Sequence, residues 1–315
     1  MCPRRTQSQS RTWPHVDDAE RPCAQADGAI DRAGGLFNGS LRLPSVAREA
    51  NPYNEQLGRS LPWKPFAAEL IGTALLVLVG LSFVIFDLGH GSPLARLLPD
   101  EAARRFITGF LFGSTRMLIT LSPLGKESGA HINPAVTLAF WLMGRMQARH
   151  ALGYVTCQLA GALVGAVPLL LWGAMGESVI FGATVPGASY GTTWVLLGEA
   201  VTTFALVFGL FYFLRDRALR VYTPALFPPL YAIMVWLEAP ISGTSTNPAR
   251  SFGPALISGD WQGWWIYWLG PLIGTLLGVA VYLGAGWERH MIEVAKLYHF
   301  GHDPHGIFHR QPARA

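Results

Sequence analysis

The tripeptide Asn-Pro-Ala occurs twice in this chain, each time after the same lead-in. The first copy reads Ser128-Gly129-Ala130-His131-Ile132-Asn133-Pro134-Ala135 and the second Ser242-Gly243-Thr244-Ser245-Thr246-Asn247-Pro248-Ala249. Both copies sit between long apolar segments. A repeat of this kind in an apolar chain means an internal duplication in a membrane protein, and it predicts a pore built from two half-helices.

Composition agrees with a membrane class. Half of the 315 residues are hydrophobic and 14% are charged, against about 25% charge in a soluble domain. The net charge of +4 gathers on one predicted side of a membrane, so nucleic acid is not the expected partner. Cys2, Cys23 and Cys157 have no metal-ligand spacing and imply no disulfide framework. Residues 1–62 are polar, lack an apolar core segment of a signal peptide, and read as a disordered tail.

Six stretches are apolar and long enough to cross about 30 Å of hydrocarbon. They lie near 65–87, 105–123, 151–174, 194–214, 222–241 and 262–286. Two shorter pieces, near 134–144 and 248–258, follow the Asn-Pro-Ala copies and read as half-helices lining a wet or buried path. The duplication extends further. Glu69-Leu-Ile-Gly-Thr73 opens the first span and Glu199-Ala-Val-Thr-Thr203 the fourth. Gly161-x-x-x-Gly165 lies in the third span and Gly274-x-x-x-Gly278 in the sixth. Three spans per repeat is an odd number, so the halves insert with opposite orientation. The expected organisation is a tail over 1–62, a channel domain over 63–287 with repeats near 63–175 and 193–287, and a tail over 288–315. Lys64, Lys126, Arg145, Arg149, Arg215, Arg217, Arg220, Arg289 and Lys296 crowd one predicted side, while the other holds Arg96, Arg104 and Arg105 and its loop near 175–193 has none. Both termini are therefore expected in the cytoplasm, with the plasma (inner) membrane as the expected location.

Asn is a preferred N-cap and Pro suits the first helical position. Asn133-Pro134 and Asn247-Pro248 each read as a helix start. The Asn oxygen caps its own helix, and the amide NH2 is left as a fixed donor. Two such helices entering from opposite sides put positive potential at the midplane, which suits a single file of neutral, oxygen-bearing molecules. The small residues Gly129 and Ala130, with His131, and their counterparts Gly243, Thr244 and Ser245, are expected to present carbonyls to the lumen.

These motifs resemble the major intrinsic protein family, the aquaporins and glycerol facilitators, over residues 63–286. The stretches Ser128 to Thr137 and Asn247 to Ala255 carry the resemblance. It implies an all-α membrane fold with six transmembrane helices plus two re-entrant half-helices in an inverted repeat. It also implies a homotetramer, passive conduction and no cofactor or metal. By the same resemblance Arg250, after the second Asn-Pro-Ala, is the arginine of an outer constriction. Glu69 and Glu199 are expected to hold the pore loops rather than to carry chemistry.

The solute marks conflict. Ser251, Ala255 and the pair Tyr267-Trp268 resemble water channels. The outer ring does not, because the position twelve before Asn247 is Val235 where strict water channels place His. The ring is expected to comprise Arg250, Thr244, Val235 and either Gly113 or Phe112. Such a ring should pass water and also small neutral solutes such as glycerol, ammonia or hydrogen peroxide. A glycerol facilitator, a non-conducting scaffold or adhesion protein, and a coupled transporter are the rival readings. Arg116, in mid-span, is expected to make a structural ion pair, with Glu238 a weaker case of the same kind. The histidines of the C-terminal tail, His299, His302, His305 and His309, are expected to be solvated.

Overall fold

The computed structural model describes residues 61–287 and 292–308. The expected N-terminal tail lies outside the described residues except for its last two, and so does His309. Every regular element among the described residues is helical. Six long helices and two short ones build the fold: α1 (Trp63–Leu88), α2 (Glu101–Leu121), the half-helix α3 (Pro134–Leu142), α4 (Ala148–Ala166), α5 (Thr192–Leu214), α6 (Thr223–Ser242), the half-helix α7 (Pro248–Ser258) and α8 (Ile266–Gly284). Five of the six long helices are apolar enough to cross a membrane by length and composition. The sixth, α2, is long enough but carries Glu101, Arg104, Arg105 and Arg116.

Local chemistry sets the ends. Asp100 caps α2 by accepting from the Ala102 N–H at 2.9 Å. Gly243 stops α6 in the left-handed region at φ 83°, where a side chain would be strained. The third span departs from the predicted 151–174. It is α-helical to Ala166, then continues as a tighter 3₁₀ segment over Val167–Trp172, where Pro168 cannot donate to an α-helical ladder.

The packing carries the inverted repeat. In the first half α4 lies along α1; in the second α8 lies along α5; α2 and α6 pair across the two halves. Each half-helix leans on the last span of the opposite repeat, α7 on α4 and α3 on α8. Glycine permits the close approaches. A methyl on Gly161 or Gly165 would collide with the backbone of Leu70 or Ala74 in α1, and one on Gly274 with that of Ala200 in α5. These contacts lie within one chain. Without a hydrophobic drive between helices in lipid, such dispersion contacts are what hold spans together. Leu76, Val77, Leu81 and Ile85 of α1 and Leu206, Val207, Leu210 and Phe211 of α5 fill the interior. Leu152, Leu171 and Trp194 stand on the exterior.

Candidate functional site: a pore between two half-helices

Each half-helix begins as its sequence dictates. The Asn133 Oδ1 accepts from the Ala135 N–H at 2.8 Å, and the Asn247 Oδ1 from the Ala249 N–H at 3.1 Å. Pro134 and Pro248 occupy the first helical positions. The two amide groups then reach across the repeat boundary. The Asn133 Nδ2 donates to the Thr246 carbonyl at 2.9 Å, and the Asn247 Nδ2 donates to the Ile132 carbonyl at 3.0 Å. An amide has two N–H donors, so this reciprocal pair uses one from each Asn and fixes the direction of the other.

The loops ahead of the caps are matched in conformation. Gly129, Ala130 and Ile132 have φ of 84°, 58° and 41°; Gly243, Thr244 and Thr246 have 83°, 52° and 52°. Holding a non-glycine residue in the left-handed region costs of order 1–3 kcal/mol, and four of these six are not glycine. Two buried carboxylates offset that strain. The Glu69 oxygens accept the His131 N–H at 2.9 Å and the Ile132 N–H at 2.6 Å. The Glu199 oxygens accept the Ser245 N–H at 2.7 Å and the Thr246 N–H at 3.0 Å. Charge-assisted bonds of this sort are about twice as strong as neutral ones. Gln158 and Ser242 complete the two carboxylate sites through their side chains.

Two tyrosines, whose part in the loops had no place in the motif reading, add a further matched brace. The Tyr154 hydroxyl donates to the Ser128 carbonyl at 2.8 Å, and the Tyr267 hydroxyl to the Ser242 carbonyl at 2.9 Å. Their signal was present: each stands seven residues before the first glycine of its Gly-x-x-x-Gly.

A cavity of about 210 Å³ is lined by Phe112, Tyr231, Val235, Gly243, Thr244 and Arg250, together with Glu101 and Arg105. Of the two candidates on α2, Phe112 takes this place. Gly113 packs instead on α6, where a methyl would collide with the Phe227 carbonyl. Arg250, 5% exposed, donates from Nη1 to the Gly182 carbonyl at 2.8 Å. The loop that supplies this carbonyl carried no motif. It is tied down by Thr184, whose hydroxyl donates to Ser251. Glu238, a weaker candidate for an ion pair, has no cation within ion-pair distance among the described residues and accepts from the Thr244 hydroxyl instead.

Two further expectations differ from the structure. Among the described residues Arg116 has no carboxylate within ion-pair distance. Its Nη2 donates instead to the His131 carbonyl at 2.9 Å, and its guanidinium lies 4.7 Å from the centre of the Phe227 ring. A π-face supplies part of what a carboxylate would. Among the described residues the C-terminal segment 292–308 is packed in part, although its histidines His299, His302 and His305 stay partly exposed. Ile292, Val294, Ala295, Lys296, Leu297, Ile307 and Phe308 are buried. The His299 ring sits 3.1 Å from the Leu121 carbonyl and the His302 ring 3.2 Å from Glu127. The tail holds apolar residues at 292, 294, 297, 307 and 308, and burying them outweighs the pull of its histidines toward water. The His131 side chain, between the pore loop and this segment, stacks on Phe140 and has Nε2 3.0 Å from the Ala295 carbonyl.

Two half-helices meeting at their capping asparagines inside a six-helix inverted repeat define a membrane channel fold. The family profile described as Major intrinsic protein matches residues 56–282. The chain is 32% identical to Aquaporin-4 of Mus musculus over 234 residues, covering 70% of this chain and 66% of that protein. It is 33% identical to Aquaporin NIP1-2 of Arabidopsis thaliana over 234 residues, covering 72% and 76%. The solved aquaglyceroporin from Plasmodium falciparum shares the fold, with a TM-score of 0.56 at 18% identity, covering 70% of this chain and 96% of that one. The chain belongs to the major intrinsic protein family. Members of that family are passive channels and not enzymes.

Proposed function

We propose that this chain is a passive transmembrane channel that conducts water together with small neutral solutes and excludes ions and protons. The reciprocal Asn133–Thr246 and Asn247–Ile132 bonds carry the reading. They aim the two remaining amide N–H groups from one place, between the N-termini of two half-helices. A water oxygen held there by donors on both sides must turn its own hydrogens outward. That orientation breaks the chain along which a proton would hop, and the two helix dipoles add a positive field against cations. Arg250 adds a fixed guanidinium beside the outer cavity, where water is scarce and screening is weak.

The closest rival is a facilitator of glycerol, ammonia or hydrogen peroxide. Val235 favours some passage of this kind, because it puts a side chain without hydrogen bonds on the cavity that Arg250 shares. A non-conducting scaffold would have no need of aligned donors in a buried interior. We further propose a homotetramer in the plasma (inner) membrane, with Glu69 and Glu199 supporting the pore loops and both termini in the cytoplasm. No cofactor enters this reading.

Stopped-flow light scattering on proteoliposomes tests it. Osmotic shrinkage should be much faster than in empty vesicles, and re-swelling in glycerol should be slower but measurable. Shrinkage no faster than in empty vesicles, with protein inserted, would overturn the channel reading.

A further inference from the structure

The inverted repeat makes the two ends of the pore comparable, residue for residue, and at one matched position they differ. Gly243 in the second loop lines the open outer cavity. Its counterpart Gly129 in the first loop is covered: a methyl there would meet the Ala295 carbonyl and the Lys296 side chain, each at 2.9 Å. The Leu297 N–H donates to the Gly129 carbonyl at 3.1 Å. That carbonyl belongs to the row that a solute leaving the asparagine pair on the inner side would meet. A piece of main chain occupies it instead.

The segment crosses from one repeat to the other. Near its start Glu293 pairs with Arg217 at 2.8 Å and Arg220 at 3.3 Å, both in the connection between α5 and α6. Further on, Leu297 reaches Gly129 and the His302 ring approaches Glu127, both in the connection between α2 and α3, while the His299 ring approaches the carbonyl of Leu121, the last residue of α2. It also closes on itself, with the Ala295 N–H donating to the Phe308 carbonyl at 3.2 Å. Lys296 is fully buried beneath this turn, donating to the Lys126 carbonyl with its ammonium 4.4 Å from the centre of the Phe308 ring. Ile292, Val294, Leu297, Ile307 and Phe308 join the same apolar cluster as Phe66, Phe140, Met143, Tyr154 and Tyr282.

We propose that residues 292–308 are a built-in plug that closes the inner mouth of the pore by binding the Gly129 carbonyl and spanning the two inner connections. The proposal rests on the channel reading above. The plug competes with solute for pore-loop carbonyls, so the state described here is open toward the outer cavity and shut on the inner side. Opening requires the segment to leave its seat, which costs one backbone hydrogen bond, exposed ion pairs and the burial of five apolar side chains.

Two full-length variants test it. Leu297→Pro removes the donor to Gly129, and Phe308→Ala removes the ring beneath which Lys296 is folded. Each is reconstituted and its water permeability measured against the wild type. Release is followed independently by maleimide labelling of Ala295→Cys, buried in the seated form, in a background whose native cysteines are replaced by Ser. Losing one backbone bond should shift the closed-to-open ratio by about fivefold, so permeability and labelling rate should rise together in both variants. Labelling that accelerates while permeability stays at the wild-type value overturns the plug and leaves the channel standing. Unchanged labelling in both variants overturns the seat itself. Permeability at the empty-vesicle level in wild type and variants alike overturns the channel reading, and the plug falls with it.

Discussion

The Arg116 Nη2 donates to the carbonyl of His131 at 2.9 Å, so a guanidinium on α2 holds a carbonyl of the first pore loop. Thr108 and Phe112 stand at four-residue steps before it on α2 and line the cavity that Arg250 shares, which puts Arg116 one turn further along the same stripe. Its Nε and Nη1 have no protein partner and the side chain is fully buried. A buried cation without a carboxylate is costly. Arg116 is thus a second buried guanidinium beside the pore loops, and it occupies the His131 carbonyl, one of the acceptors expected to face the lumen.

Arg116→Leu should free the His131 carbonyl and raise water permeability. Ion exclusion should persist through Arg250. The lost bond is worth about 1.5–3 kcal/mol, largely offset by no longer burying a charge, so the melting temperature in detergent should move little. Flux unchanged or lower in a well-folded variant would mean that the guanidinium is a wall strut and not a brake.

Glu69→Gln and Glu199→Gln test the loop supports. A glutamine has one acceptor oxygen, so its NH2 would face a backbone N–H that now has a carboxylate oxygen. One buried unsatisfied donor costs about 1–3 kcal/mol. Each variant should melt at lower temperature and conduct more slowly, with the ratio of water to glycerol flux kept. Uptake that becomes dependent on a proton gradient would revive a transporter.

Lys296 gives the plug a pH dependence of definite sign. Burial pushes its ammonium down to about 8, from 10.5 for a hydrated lysine. The groups facing it are Asp303 on its own segment and Lys126 and Glu127 on the helix Pro123–Ser128. Between the two values the released side chain holds more protons than the seated one, so raising the pH favours the seat. Below about pH 8 both forms are charged and the seat bears the full cost of burying the ammonium. Water permeability should therefore fall from about pH 7.5 to about pH 10, and Lys296→Met, neutral throughout, should flatten the profile. A wild-type flux that rises over this range would contradict the assignment.

The repeat was legible because the same short-range chemistry had to appear twice. A cap at Asn133 and Asn247, a left-handed glycine after Ser128 and Ser242, and a carboxylate at Glu69 and Glu199 each left a mark at matched offsets. What the sequence hid were contacts between segments far apart in the chain. That Phe112 and not its neighbour Gly113 lines the cavity depends on helix rotation, which follows from how α2 packs on α6. The Gly182 carbonyl beneath Arg250 is main chain and leaves no side-chain signature. The seat of residues 292–308 depends on scattered apolar residues among histidines, too few for a periodic pattern, and composition alone made the tail look solvated. Arg116 was conspicuous, but a carbonyl and a π-face cannot be told from a carboxylate partner by reading one chain.

The outer ring sets the last expectation. Val235, Thr244, Phe112 and Arg250 share one cavity of about 210 Å³. Arg250 supplies N–H donors, Phe112 an apolar face, and Val235 no hydrogen bond at all. A molecule with an apolar backbone and hydroxyls on one edge can lay its carbon side on Phe112 and Val235 and its oxygens toward Arg250. Val235→His would put an imidazole in this aperture, narrowing it and adding a polar edge where carbon would lie. Water loses little, because it gains a partner as it loses width. Glycerol loses both space and its apolar wall, so its permeability should fall about tenfold or more, the scale on which a filled pocket discriminates, while water flux stays close to the wild type. Paired shrinkage and re-swelling traces on the same vesicles measure both. Glycerol exclusion by the wild type, with no change in Val235→His, would show that a different part of the lumen sets the limit.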